Sequence, residues 1–295
     1  VFLLFNAGCK SDGNYYLPST NEKEYKVELL CELDWAARMY VYRLFPIDST
    51  LIVLGWDVST GTGVHTYTLP DLERRDYLHK GRGDNEMIHL FPSPYIQDNQ
   101  LYLYDQQKAL SINIDSILIS QKEIITPVLP PSDNWIRYKR EIGDKSFEMV
   151  SSSPQIGKEQ SPRSRVKDEF DNVLAENWIW PREDPVWRWE AYMNPILYFS
   201  PDCSKFVNAT LRNCGIIETF SFPGLERIAC KEYFVPEFTT KVTTTGHSIK
   251  YKHERNGFID ICTTDSEIWA IWDGATDWSV PDEERPYPTK NTIAV

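Results

Sequence analysis

Short runs in which apolar and polar residues alternate recur along most of the chain, each closed by Gly, Pro, Asn or Asp, and helical spacing is scarce. A period of two places alternate side chains on opposite faces of an extended strand, so the pattern predicts many short antiparallel strands and an all-β fold. Leu51 to Trp56 and Lys205 to Thr210 are two such strands. Each leads through a Gly-containing turn (Gly61-Thr62-Gly63, Gly215) into a second strand. The polar stretch Gly157 to Arg165 reads as an exposed loop, and Val166 to Glu176 after it as a short helix.

A repeat lies within the pattern. Thr66-Tyr67-Thr68-Leu69-Pro70-Asp71-Leu72-Glu73-Arg74 and Thr219-Phe220-Ser221-Phe222-Pro223-Gly224-Leu225-Glu226-Arg227 share five of nine residues, and the two read as copies of one hairpin. Their separation of 153 residues is three units of about 51, close to the roughly 40 to 50 residues of a propeller blade. Copies three blades apart predict a six-bladed β-propeller of antiparallel sheets. A second pair, Asp98 to Tyr104 and Asp265 to Ile271, repeats a polar turn leading into a strand at a separation of 167. The excess of 14 residues over 153 predicts one longer loop between Thr219 and Asp265. Stacked blades bury faces that no single blade can bury alone. The last blade, ending at Asn291-Thr292-Ile293-Ala294-Val295, is expected to be incomplete.

The tandem strands, the segment Gly81-Arg82-Gly83-Asp84-Asn85-Glu86 and the strand Leu101-Tyr102-Leu103-Tyr104-Asp105 resemble the TolB-like six-bladed propeller lipoproteins of bacteria. That family often carries a G-x-G-P-G-E segment between blades. Asp84 and Asn85 stand where the family commonly has Pro and Gly. The resemblance runs from Leu33 to Val295 and implies a lipid-anchored propeller.

The N-terminus supplies a candidate anchor. Val1 to Phe5 is apolar, Ala7 and Gly8 are small, and Cys9 precedes a polar stretch, which is the layout of a lipoprotein signal with Cys9 as the lipid-attachment residue. Asn6 departs from that pattern. Residues 1–32 are thus expected to be a signal remnant, attachment region and linker, and residues 33–295 the propeller. Thirty-one basic against 43 acidic residues give a net charge of −12, which repels a phosphate backbone and argues against nucleic acid as a partner. The absence of any apolar run of 18 residues leaves the lipid anchor as the expected membrane link. Cys31, Cys203, Cys214, Cys230 and Cys262 form no C-x-x-C pair. They fit one or two bridges or free thiols equally.

No catalytic signature emerges. The chain has no G-x-S-x-G elbow and no Walker loop, and Gly81-Arg82-Gly83 reads as a turn rather than a phosphate cradle. Arg82-Gly83-Asp84 also spells an adhesion tripeptide, to which little weight is given. His65, His79, His89, His247 and His253 lack metal-ligand spacing and read as solvated or loop histidines. Four of the ten tryptophans fall in Trp178-Ile179-Trp180 and Trp187-Arg188-Trp189. On strands, each W-x-W pair would share one face, available either to stack on a sugar or to wedge between blades. The leading expectation is a monomeric, non-enzymatic envelope propeller that binds a protein or small ligand on a face or central channel, without a cofactor. The alternatives are a calcium-dependent propeller hydrolase or lactonase, whose carboxylates cannot be placed, and a glycan-binding accessory protein using the tryptophans.

Overall fold

The computed structural model describes residues 39–272 and 292–294, apart from 70, 91–92, 106–107, 121–123, 130–134, 152–160, 193–195, 212, 244–245, 253–256 and 264–266. Cys9, Cys31 and the proposed linker 1–32 lie outside the described residues. The chain divides into two compact units that change over between Trp135 and Ile136. Each unit contains antiparallel four-stranded sheets whose strands neighbour one another in chain order, the meander of a propeller blade.

The first unit contains two blades. Blade 1 is β1 (Met39–Ile47), β2 (Thr50–Asp57), β3 (Thr62–Thr68) and β4 (Glu73–His79). Blade 2 is β5 (Tyr95–Gln97), β6 (Gln100–Tyr104), β7 (Ala109–Asn113) and β8 (Ile125–Leu129), with the short helix α1 (Ile114–Leu118) after β7. Ile52, Leu54 and Val64 from blade 1 pack with Leu101, Leu103, Leu110 and Ile112 from blade 2 in one buried cluster. Neither sheet could bury these side chains alone. Asp98 and Asn99 join β5 to β6 with φ of +49° and +59°. That is the left-handed pair a two-residue hairpin demands, and Asp and Asn tolerate it.

The second unit contains blade 3, formed by β9 (Trp135–Ile142), β10 (Lys145–Ser151), β11 (Ser164–Asp168) and β12 (Val173–Asn177). After the helix α2 (Pro185–Tyr192) comes blade 4, formed by β13 (Ile196–Phe199), β14 (Lys205–Ala209), β15 (Gly215–Ser221) and β16 (Arg227–Phe234). Phe147 of blade 3 packs on Phe199 and Phe206 of blade 4 at centroid distances of 5.2 and 4.7 Å. The hairpin β17 (Glu237–Val242) and β18 (His247–Lys252) forms a two-stranded sheet, and β19 (Phe258–Thr263), β20 (Ile268–Trp272) and β21 (Thr292–Ala294) a three-stranded one.

The fold is therefore all-β and propeller-like, as the alternation predicted, but it has four complete blades among the described residues rather than the six expected. The repeat holds in detail. The two similar segments are the β3–β4 and β15–β16 hairpins, the last turn of blade 1 and of blade 4, three blades apart. Each turn places a leucine in left-handed backbone, Leu72 at φ +59° and Leu225 at +58°. Each leucine N–H donates to the residue four earlier, Thr68 or Ser221. The second pair lies on β6 and β20, the second strands of their sheets, and the predicted longer loop contains the β17–β18 hairpin.

Two local expectations are corrected. Val166 to Glu176 is no helix: β11 turns through residues 169–172 into β12. The Asp168 carboxylate accepts from the N–H groups of Phe170 and Asn172, and Asp171 adopts φ +68°, so a local turn outcompetes the helix. Of the polar stretch before it, residues 157–160 lie outside the described residues, and Pro162, Arg163 and Ser164 are buried rather than exposed.

Candidate functional site

The segment richest in tryptophan links blade 3 to blade 4. At the end of β12, Asn177 accepts the Ile179 N–H on its side-chain oxygen (2.8 Å) and the Arg163 N–H on its carbonyl (2.8 Å). This turn sends Trp178 outward, 52% exposed, with its indole N–H on Glu176, and brings Trp180 back onto Tyr192. Asp184 then caps α2, its carboxylate accepting from the N–H groups of Val186 and Trp187 at 2.9 Å, while Pro185 occupies the first helical position. The second tryptophan pair is thus helical, not extended as expected. Residues two apart on a helix diverge by about 200°. Trp187 is fully buried and stacks on Phe238 of β17, whereas Trp189 meets His247 of β18 edge-on. Thr240 of β17 donates to Asp184, so the β17–β18 hairpin and α2 brace each other.

Beneath α2 lies a buried ion pair. Arg163 donates to Glu218 of β15 at 2.5 Å, Tyr192 of α2 donates to the same oxygen at 2.7 Å, and Arg163 also donates to the Ile179 carbonyl. The guanidinium sits over the rings of Trp180, Tyr192 and Phe220 at 4.2 to 5.1 Å. Burial opposes its charge, but the Glu218 carboxylate outweighs burial and holds its pKa above the ordinary arginine value. Burial pushes the Tyr192 phenol well up, so it stays protonated and donates. The guanidinium, the Oε2 oxygen of Glu218 and the aromatic cage hold one another, which makes the group a structural clamp joining the start of β11, α2 and blade 4.

The surface outside this clamp is unusual in its composition. Five of the ten large apolar side chains exposed among the described residues fall within ten consecutive positions: Phe170, Val173, Leu174, Trp178 and Ile179. They lie on β12, the outer strand of blade 3, and on the turns flanking it. Glu169, Asp171 and Glu176 are exposed among them. The nearby cations are engaged: Arg165 binds Glu148 at 2.6 Å, and Lys167 binds Asp171 at 2.7 Å. The rim is therefore apolar with an acidic border.

In blade 1 a second charged group surrounds His65, which is fully buried rather than solvated as expected. Its Nδ1 lies 2.7 Å from Asp76 and its Nε2 lies 2.9 Å from the Gly55 carbonyl. Arg74 bridges Asp57 and Asp76 at 2.6 Å each. Ser59 donates twice to Asp57. Burial would raise the Asp57 pKa, but these hydrogen bonds and Arg74 hold it well below the ordinary carboxylate range. His79 and His89 are exposed, His247 lies beside Glu190 at 3.5 Å, and His253 falls outside the described residues. Among the described residues no three His, Cys, Asp or Glu side chains converge to hold a metal. Cys203 and Cys230 are free thiols, and burial pushes the thiol of Cys214 up to about 12.

The segment Gly81 to Glu86 is a turn, as read from the sequence. Glu86 folds back to accept the Gly83 N–H, and a Cβ at Gly81 would collide with the Glu86 carboxylate.

No family model and no curated protein matches the chain. Among solved structures, the chain is similar to a protein of Bacteroides fragilis described as exported, with 11% identity and a TM-score of 0.48 over 79% of this chain and 65% of that one. It is also similar to dihydro-heme d1 dehydrogenase in complex with its ligand, with 6% identity and a TM-score of 0.37 over 76% of this chain and 40% of that one. This chain thus spans less than two thirds of either neighbour's length.

Proposed function

We propose that the chain is a non-enzymatic propeller of the bacterial cell envelope, of the TolB-like six-bladed lipoprotein kind, anchored through Cys9 and docking a protein partner on the outer strand of blade 3. In this reading β19, β20 and β21 belong to the fifth blade, because β20 follows β6 at the repeat distance plus the inserted hairpin. The observation that carries the proposal is the cluster Phe170, Val173, Leu174, Trp178 and Ile179. Apolar side chains concentrated on a sheet edge that no other described strand pairs with are the mark of a surface that another molecule covers. The acidic border sets the partner's chemistry, namely a protein surface that presents basic residues around an apolar centre. A glycan platform would need coplanar exposed indoles. Of the four tryptophans in this segment only Trp178 is largely exposed, which favours the protein partner.

A photo-crosslinking residue placed at Leu174 in the full chain, expressed in its own cells, tests the proposal against a control at the exposed Asp144. The expected result is a protein adduct from position 174 alone. The purified adduct partner should then lose at least about tenfold in affinity, roughly 1.4 kcal/mol, for a chain carrying Leu174→Asp and Trp178→Ala. Absence of an adduct at 174, or an unchanged affinity, would overturn it.

A further inference from the structure

Blade 4 buries more polar atoms than its protein neighbours satisfy. Asn208 of β14 is 1% exposed, and neither its amide nitrogen nor its amide oxygen has a hydrogen-bond partner. Glu218 is fully buried. Its Oε2 accepts from both Arg163 and Tyr192, while Oε1 has no hydrogen-bond partner and lies 3.6 Å from the Arg227 guanidinium. Asn208 and Glu218 are direct cross-strand partners. Such residues share one face of a sheet with Cβ atoms about 4.5 to 5.5 Å apart. Three unpartnered polar atoms therefore project from one face at neighbouring positions.

Leaving a buried amide unsatisfied costs about 1–3 kcal/mol. The architecture of a blade does not require that cost. Register places Val53, paired with His65, at the point of blade 1 that Asn208 occupies in blade 4, paired with Glu218. Blade 1 fills this position with an apolar side chain that is fully buried. The set in blade 4 comprises the two N–H donors of Asn208 Nδ2 and two acceptor atoms, Asn208 Oδ1 and Glu218 Oε1. A water molecule, with two donors and two acceptors, complements it, and buried waters typically make about three such bonds.

We infer that Asn208 and Glu218 Oε1 form an internal hydration site, in which one or two bound water molecules link the amide to the carboxylate. The site lies at the root of α2, because Tyr192 closes the other oxygen of the same carboxylate. The bound water completes the shell of an anion whose remaining partners come from blade 3 and α2.

The test substitutes Asn208 by the residue blade 1 uses. If water bridges the pair, Asn208→Val strands the water and Glu218 Oε1, and Tm falls by about 2–4 °C. If the amide is unsatisfied, valine removes a buried polar group and favours the strand, so Tm rises or stays level and the inference fails. A crystal structure of the unmodified chain gives a reading independent of folding. Density for water within hydrogen-bond distance of both Asn208 and Glu218 Oε1 is expected, and its absence there at high resolution overturns the site.

Discussion

Blades 1 and 4 share one hairpin, yet they fill the same buried position with different chemistry, an imidazole in one and a carboxylate in the other. His65 and Glu218 are separated by the repeat distance of 153, and each is fully buried on the third strand of its blade. The arginine nine residues later approaches each, Arg74 at 3.3 Å and Arg227 at 3.6 Å. In blade 1 the imidazole pairs with Asp76, which Arg74 bridges to Asp57 within the same sheet. In blade 4 the buried group is itself the anion, and its cation, Arg163, arrives from the adjoining blade. A repeat thus keeps the place where a polar group is buried, while the chemical group there and the source of its partner are free to change. The local solution in blade 1 stays within one sheet; the long-range one in blade 4 ties three elements together.

The sharpest way to break this comparison is to remove the anion of blade 4. Glu218→Gln leaves Arg163 buried without its counter-charge, and a loss of about 3–5 kcal/mol in urea unfolding is expected. Replacing both partners, Arg163→Met with Glu218→Leu, should restore most of it; a double variant as unstable as the single one would show that the pair's geometry, rather than the stranded charge, sets the cost. In blade 1, His65→Leu should cost less, about 1–3 kcal/mol, because Arg74 is a quarter exposed and water can rescue Asp76.

Acid sharpens the contrast further. The folded pKa of Asp57 is depressed, so the unfolded chain takes up a proton there first as pH falls. Its contribution to stability is present above about pH 4, the unfolded value, and is lost as pH falls towards the folded value. Asp57→Asn should flatten that part of the stability curve between pH 4 and pH 2, measured by chemical denaturation at each pH. The smallest effect belongs to the surface. Arg182 pairs with Glu232 through two bonds of 2.6 and 2.7 Å, but the pair is partly exposed, so Arg182→Ala should change stability by no more than about 1 kcal/mol.

Strand content, the hairpin copies and their spacing of three blades were legible because alternation and turn residues are local properties of sequence. Partners that come from far along the chain were not. Arg163 sits in a polar run that suggests solvent, and only the arrival of Glu218, 55 residues on, and three aromatic rings makes its burial favourable. The tryptophans were noticeable, but their spacing alone does not show that Trp187 and Trp189 lie on a helix; Asp184 followed by Pro185 is the available signal, a cap and a first-turn proline. The exposed rim escaped because Val173 and Leu174 fit a buried helix face as readily as an open edge. Composition cannot tell which side a strand turns to water.

Trp178 also makes the proposed surface optically readable. An indole in water emits at longer wavelength than one in an apolar interior, and Trp178 stands out from Trp187 and Trp189, which are buried nearby. Excitation at the red edge of the absorption band favours such a hydrated indole. Coverage of the blade 3 rim should then appear as a blue shift in unlabelled protein, one that the Trp178→Phe chain does not show.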